Sequence, residues 1–298
     1  MATVDDKKII FSMVGLNKTI QQNNKQVLKN IYLSFFYGAK IGIIGLNGSG
    51  KSTTINAILN IIRTDSGNIK VFGMDNRKHE TEIKKHISAV FDELPFHDEL
   101  NADALNKIFR DIYFEWNSEI FRSYLDRFQL PRKKKFGQFS KGMKMKLQIA
   151  AALSHNAKLL ILDEATTGLD PVIRNEILDI FLEFLQDEEN SVFMSSHITT
   201  DIEKVADSVT FIDKGKILLS GFKDDILNSH GVIKCSKSDF NEIEKSDFIS
   251  ARVTDFGAEV LISDRKKALQ KYSGAIIDPT TLEEIMLFYV NQNKKEWR

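Results

Sequence analysis

The sequence predicts an α/β fold with a helical subdomain and a small C-terminal α+β appendix, from three observations. Apolar runs of strand length alternate with amphipathic helical segments, the pattern of layered α/β architecture. One Gly-rich stretch, GLNGSGKST at 45–53, stands between an apolar run and a helical segment. A second apolar run, LLIL at 159–162, leads directly into the adjacent acids Asp163 and Glu164.

In chain order, IIFSMV (9–14) reads as a strand, QQNNK (21–25) as a turn and VLKNIYLSF (27–35) as an alternating strand. KIGIIG (40–45) is continuously apolar and suits a buried parallel strand, and TTINAILNII has helical spacing. TDSGNIKVFG (64–73) reads as a turn and short strand, and ISAVF (87–91) as another strand. From about 98 to 135 the pattern is helical, polar and aromatic-rich; Phe109, Tyr113, Phe114, Trp116, Phe121, Tyr124 and Phe128 are expected to pack a subdomain core. RKKK (132–135) reads as a solvated loop. LLILD is a strand, NEILDIFLEFLQ (175–186) an amphipathic helix, SVFMSSH (191–197) a strand running into a loop, and DSVTFIDKGKIL (207–218) a hairpin. Composition shifts near 229–231. Beyond it GVIKC, ISARV and AEVLIS read as short strands, DFNEIEKS and DRKKALQKY as helices, and TTLEEIMLFYV as a closing helix capped by Thr280 or Thr281. The expected division is 1–228, with a helical subdomain at about 92–150, and an accessory unit at 229–298.

The totals exclude several classes. The 298 residues carry 41 basic and 41 acidic side chains, and this zero net charge argues against a nucleic-acid partner. The single cysteine, Cys235, rules out an internal disulfide and suits a reducing compartment. No stretch reaches the ~18 apolar residues of a membrane helix, and none near the N-terminus has the length of a signal peptide core.

GLNGSGKST matches G-x-x-x-x-G-K-[ST], in the strand–loop–helix context that gives the motif meaning. Backbone amides of Gly45, Leu46, Asn47, Gly48, Ser49 and Gly50 can turn inward around phosphate oxygens, and the helix start adds partial positive charge. Lys51 can reach the β- and γ-phosphates, Ser52 can ligate Mg²⁺ and Thr53 can bond a further phosphate oxygen. In a P-loop site the metal also needs an acid at a neighbouring strand end, which suits Asp163. Glu164, one residue on, can then polarise an attacking water.

FSKGMKMKLQIAAAL (139–153) resembles the signature motif of ATP-binding-cassette (ABC) ATPases, with Ser140 and Gly142 matching its serine and second glycine. Phe139, Lys141 and Met143 replace its leucine, first glycine and glutamine. TGLD (167–170) is similar to the family's D-loop and SSH (195–197) to its switch-histidine motif, in the family's order over about residues 5–225. The resemblance implies a P-loop ABC ATPase fold binding ATP and Mg²⁺, with each nucleotide enclosed between two chains. Ser140 and Gly142 would cap the γ-phosphate held by the other subunit, Asp170 would cross the interface, and His197 would hold the water and Glu164. It also implies a second ATPase subunit, identical or paralogous, and a separate transmembrane permease subunit. The chain would then work at the cytoplasmic face of the membrane, with residues 92–130 receiving the permease.

Three further places depart from the family pattern. Ile20 stands where an aromatic residue usually stacks on adenine. Asp92 and Glu93 follow the ISAVF strand where a glutamine is usual, and no glutamine occurs from Lys51 to Phe128. Asp92 is expected to accept the metal through a carboxylate oxygen. Ala165 replaces the usual proline. VFDEL, FSKGMKMKL and SSHITTDIEKVADSVTFIDKGKI are similar to ATPases of bacterial exporters for antimicrobial peptides, amphipathic peptides and drugs. A soluble ABC ATPase and a nucleotide-dependent regulator are the alternatives. The single cysteine and the lack of heptads disfavour repair types, and one cassette rather than two disfavours ribosomal types.

Overall fold

The computed structural model describes residues 9–22, 24–92, 96–272 and 274–292. Its centre is a six-stranded sheet. β3 (Lys40–Ile44), β6 (Ile87–Phe91), β7 (Leu159–Asp163), β8 (Ser191–Ser196) and β9 (Ser208–Asp213) run parallel, and β10 (Lys216–Phe222) returns antiparallel from β9, in the order β10-β9-β3-β8-β7-β6. β7 and β8 are buried at every position, which explains their apolar runs LLIL and VFM: both faces of the sheet are covered.

The two faces are divided by side-chain alternation. Ile41, Ile43, Ile161 and Phe193 point to one core, shared with α1 (Lys51–Ile58) and an antiparallel sheet. That sheet has the order β2-β1-β4-β5, from β1 (Ile9–Ile20), β2 (Lys25–Phe36), β4 (Ser66–Val71) and β5 (Met74–Asp75). Leu160, Leu162, Val192 and Met194 point the other way, into a core with α5 (Lys141–Ala152), α6 (Pro171–Phe184) and α7 (Thr199–Val205). The first strand runs six residues beyond its apolar start. Gly15, at φ 63, and shifts in pairing between Met13 and Leu16 bend it, so period-2 alternation breaks in the sequence while the pairing continues.

α3 (Ala102–Ile112) and α4 (Ser118–Arg127) form the helical region, capped by Asn101 and Asn117. Phe121 and Phe128 are buried, and Trp116 packs 5.0 Å from Phe109 while its Nε1 donates to Asn106 Oδ1 at 2.8 Å. Phe114 differs from the expected packing: it is 99% exposed. Residues 132–135 are exposed, with Arg132 paired to Asp126 and Lys135 to Glu99.

α2 (Glu80–Lys85) and α8 (Lys223–Ser229) are short elements that the sequence pattern does not announce. The C-terminal sheet has the order β12-β13-β11-β14, from β11 (Gly231–Cys235), β12 (Phe248–Val253), β13 (Ala258–Ile262) and β14 (Ile276–Asp278). α11 (Leu282–Asn291) opens with a Thr281–Glu284 capping box and sinks Leu282, Ile285 and Phe288 into the core that also holds Ile202, Val205 and Phe211. α10 (Arg265–Lys271) forms as expected. DFNEIEKS does not form a helix: only α9 (Lys237–Phe240) is helical. The chain then turns so that Ile243 is buried and Asp247 receives Lys271 Nζ at 2.6 Å and the Tyr272 hydroxyl at 2.8 Å. Those two contacts, the lysine first, hold the Asp247 carboxyl down at about 2.

Candidate nucleotide site

The site lies at the C-terminal ends of the parallel strands. β3 ends at Ile44 and the chain enters the Gly-rich loop. A Cβ on Gly45 would stand 2.3 Å from the Ile212 carbonyl oxygen and 2.5 Å from Ser49 Oγ, so only glycine fits. Gly50, the residue before α1, has φ 119, a backbone that side chains resist. Leu46, Asn47 and Gly48 are exposed at the loop's rim, Ser49 is buried with its hydroxyl unpartnered among the described residues, and Thr53 is half-buried.

Lys51 is buried inside the loop. Its ammonium donates to the Gly45 carbonyl at 2.8 Å and lies 3.1 Å from Glu164 Oε1. Ser52 Oγ donates to Asp163 Oδ1 at 3.1 Å. The same oxygen receives the buried Ser195 hydroxyl at 2.6 Å. Glu164 has φ 53, a left-handed conformation unusual outside glycine. Its amide donates to the Ser195 carbonyl and hydroxyl, both at 3.2 Å, which fixes the turn. Its Oε2 receives the Thr167 hydroxyl at 2.8 Å and sits 2.6 Å from His197 Nδ1. Burial pushes the Glu164 carboxyl up, but the Thr167 hydrogen bond, the Lys51 charge and the His197 contact together outweigh it and hold it below the ordinary value.

Contacts therefore join Lys51, Ser52, Asp163, Glu164 and His197 in one group. Ser195 and Thr167 belong to it too, and sequence reasoning assigned neither a role; their only signal was membership in the SSH and TGLD stretches. Ser140, Gly142 and Asp170 make none of these contacts. Ser140 caps α5 by accepting from the Met143 amide, and Asp170 caps α6 by accepting from the Val172 and Ile173 amides at 3.1 and 3.0 Å. Gly142 is buried against Ile173. Ile20 is exposed at the tip of the β1–β2 hairpin, paired with Lys25.

Asp92 follows directly after β6. Its amide extends the β6–β7 ladder by donating to the Asp163 carbonyl at 3.1 Å, but its carboxylate turns to Lys141, with Oδ1 2.7 Å from Nζ. Glu93 lies outside the described residues.

The residues fit a magnesium nucleotide. Ser52 and Asp163 present hard oxygen donors in contact, as Mg²⁺ requires, and the cradle around Gly45 has no room for a side chain. Among the described residues no helix is long and apolar enough to cross a membrane.

The sequence model of the ABC transporter family matches residues 28–167. The ABC transporter ATP-binding protein YtrB of Bacillus subtilis is 31% identical over 202 residues, 68% of each chain. The bacitracin transport ATP-binding protein BcrA of Bacillus licheniformis is 34% identical over 220 residues, 73% of this chain and 69% of that one. A solved ATP-binding subunit of an ABC transporter superposes with a TM-score of 0.67 at 25% identity, covering 74% of this chain and 92% of that one. With relatives above 30% identity across two thirds of their length and the P-loop, paired acids and histidine joined in one site, the chain belongs to the ABC transporter ATP-binding proteins and is an ATPase.

Proposed function

We propose that this chain is the ATP-hydrolysing motor subunit of a bacterial ABC exporter for amphipathic or antimicrobial peptides or drugs. The narrowest cargo class that the sequence wording suggests is the phenol-soluble modulins. That one relative is a bacitracin transport ATP-binding protein supports the class. The chain acts at the cytoplasmic face of the membrane, bound to a separate permease subunit. Residues 1–228 are the ATPase unit, with the helical subdomain at about 92–150, and 229–298 an accessory unit.

The observation that carries this reading is the division of the site. Lys51, Ser52, Asp163, Glu164 and His197 converge, whereas Ser140 and Asp170 face elsewhere on exposed helix starts. One chain thus holds the phosphates and the base. Ser140 and Gly142 of a second, identical or paralogous, chain close over the γ-phosphate, and Asp170 crosses between them.

Within one chain the loop amides and Lys51 bind the β- and γ-phosphates, while Ser52 and Asp163 would hold Mg²⁺, which would supply charge neutralisation. Glu164 takes a proton from water, whose oxygen attacks the γ-phosphorus as the bond to ADP breaks. His197 orients Glu164. The Lys51–Glu164 contact gives this sequence a trigger: an arriving γ-phosphate draws the ammonium away from Glu164. Losing that counter-charge raises the carboxylate's proton affinity and makes it a better base.

Support for the permease contact is a cleft of about 330 Å³ between the sheet edge and the helical region, lined by Phe91, Phe96, Phe109, Tyr113, Gln148 and His155. The exposed Phe114 and Ile112 stand on the neighbouring rim.

Glu164→Gln should retain ATP and accumulate as a dimer, because the cradle survives while the base is lost. Lys51→Ala should instead lose nucleotide binding. Normal turnover by Glu164→Gln, or an ATP-loaded form that stays monomeric by light scattering, would overturn the reading. Purification from membranes without a companion permease would favour a soluble regulator.

A further inference from the structure

We propose that Lys141 and Asp92 act as one positioning pair, in which the lysine neutralises an acid at the phosphate mouth and fastens the start of α5 to the loop after β6. The proposal rests on the nucleotide reading above and assigns both residues a role outside it.

The geometry places Asp92 at a charge-sensitive point. Its amide is bonded to the carbonyl of Asp163, so it stands one residue beyond the strand end, beside the acid that meets Ser52. Asp163 and Glu164 already put two carboxylates there. A third, unbalanced, would repel the triphosphate that the cradle receives. Lys51 cannot balance it, because its ammonium is committed to Gly45 and Glu164.

Lys141 supplies the missing cation from the far side. It opens α5 immediately after Ser140, and its Nζ lies 2.7 Å from Asp92 Oδ1. The same ammonium borders the 167–170 turn, where a Cβ on Gly168 would stand 3.0 Å from it. One side chain therefore spans three segments: the loop after β6, the start of α5 and the turn that leads into α6. Both partners depart from the residue types that the ABC ATPase resemblance leads one to expect, and they depart with opposite charges, in contact. Either alone would leave an uncompensated charge at the mouth, whereas together they cancel.

A cycle of Asp92→Asn, Lys141→Met and the double variant tests the pair, with KM for MgATP and kcat measured at low and high salt. Lys141→Met should raise KM about three- to fivefold at low salt, the range of a half-exposed pair, with a smaller change in kcat and a reduced effect at high salt. Adding Asp92→Asn should return KM to within about twofold of wild type, and the exchanged chain Asp92→Lys with Lys141→Asp should do the same. Equal defects in Lys141→Met and the double variant would mean that the lysine meets the nucleotide by itself and would overturn the pair. A silent Lys141→Met would overturn it as well. Wild-type turnover and its loss in Lys51→Ala, measured alongside, report on the nucleotide reading separately. Should that reading fail, urea unfolding of the same four chains still decides, because zero coupling between positions 92 and 141 excludes the pair.

Discussion

Ser195→Ala should cost more than its size suggests, and the structure supplies its own control. Ser195 is fully buried at the end of β8. It donates a 2.6 Å hydrogen bond to Asp163 Oδ1 and accepts the Glu164 amide. Removing the hydroxyl takes one donor from a buried carboxylate, and hydrogen bonds to charged groups contribute ~1.5–3 kcal/mol. Two contacts soften the loss. Ser52 still donates to Asp163, and the Glu164 amide keeps the Ser195 carbonyl at 3.2 Å. The expected destabilisation is therefore ~1.5–2 kcal/mol, read as a lower urea midpoint at unchanged slope. Ser191, on the same strand and equally buried, has a hydroxyl without a hydrogen-bond partner among the described residues. Ser191→Ala should be neutral or slightly stabilising. Ser195 also aims Asp163, so the free Mg²⁺ needed for half-maximal ATPase should rise ~10-fold, as for other residues that orient a metal ligand. Equal urea midpoints for the two alanine variants, with superimposable Mg²⁺ titrations, would refute the reasoning.

The remaining expectations concern the cleft and the cradle. Burial lowers His155 to about 4, so its neutral form is the folded one. Its contribution is fully present above the unfolded value near 6.5 and is lost as pH falls toward 4, by up to ~3 kcal/mol; His155→Leu should flatten the urea midpoint over that window. Gly45→Ala places a methyl against the Ile212 carbonyl, which cannot rotate away. It should destabilise by ~1–3 kcal/mol and abolish nucleotide binding measured by calorimetry.

What the sequence makes legible follows from burial on both faces. β3, β7 and β8 carry apolar runs because both their faces are covered, so those runs stand out, and the glycines and acids at the ends of β3 and β7 mark the site. The C-terminal helix is equally plain because Thr281 and Glu284 cap it locally. α7 is hidden: Ile202 and Val205 are its only large apolar anchors in a polar seven-residue stretch. The second half of β1 is hidden because its pairing slips where the alternation fails. Ser195 meets Asp163 across 32 residues, and Lys141 meets Asp92 across two separate segments. No local pattern encodes such pairs, since register and loop closure create them. Phe114 is hidden for the opposite reason: composition cannot say which member of an aromatic cluster points outward.

The site's polar contacts also help specify the fold that carries them. In the central sheet Phe91 pairs with Asp163, Asp163 with Ser195 and Ser195 with Ile43, which aligns the ends of β6, β7, β8 and β3 in one row. Elsewhere β7 and the middle of β8 are apolar on both faces, so a slip between them would still bury hydrophobic surface. Apolar patterning therefore discriminates weakly among registers here, unlike in a sheet with one wet face. A slip of two residues keeps every side chain on its own face, yet it sets Asp163 against Phe193 and takes the Ser195 hydroxyl from the carboxylate. Losing that donor costs about 1.5–3 kcal/mol, because hydrogen bonds to charged groups are the strong ones. The Asp163–Ser195 contact thus penalises the nearest wrong alignment, and the carboxylate that serves the nucleotide also selects the sheet register that builds its site.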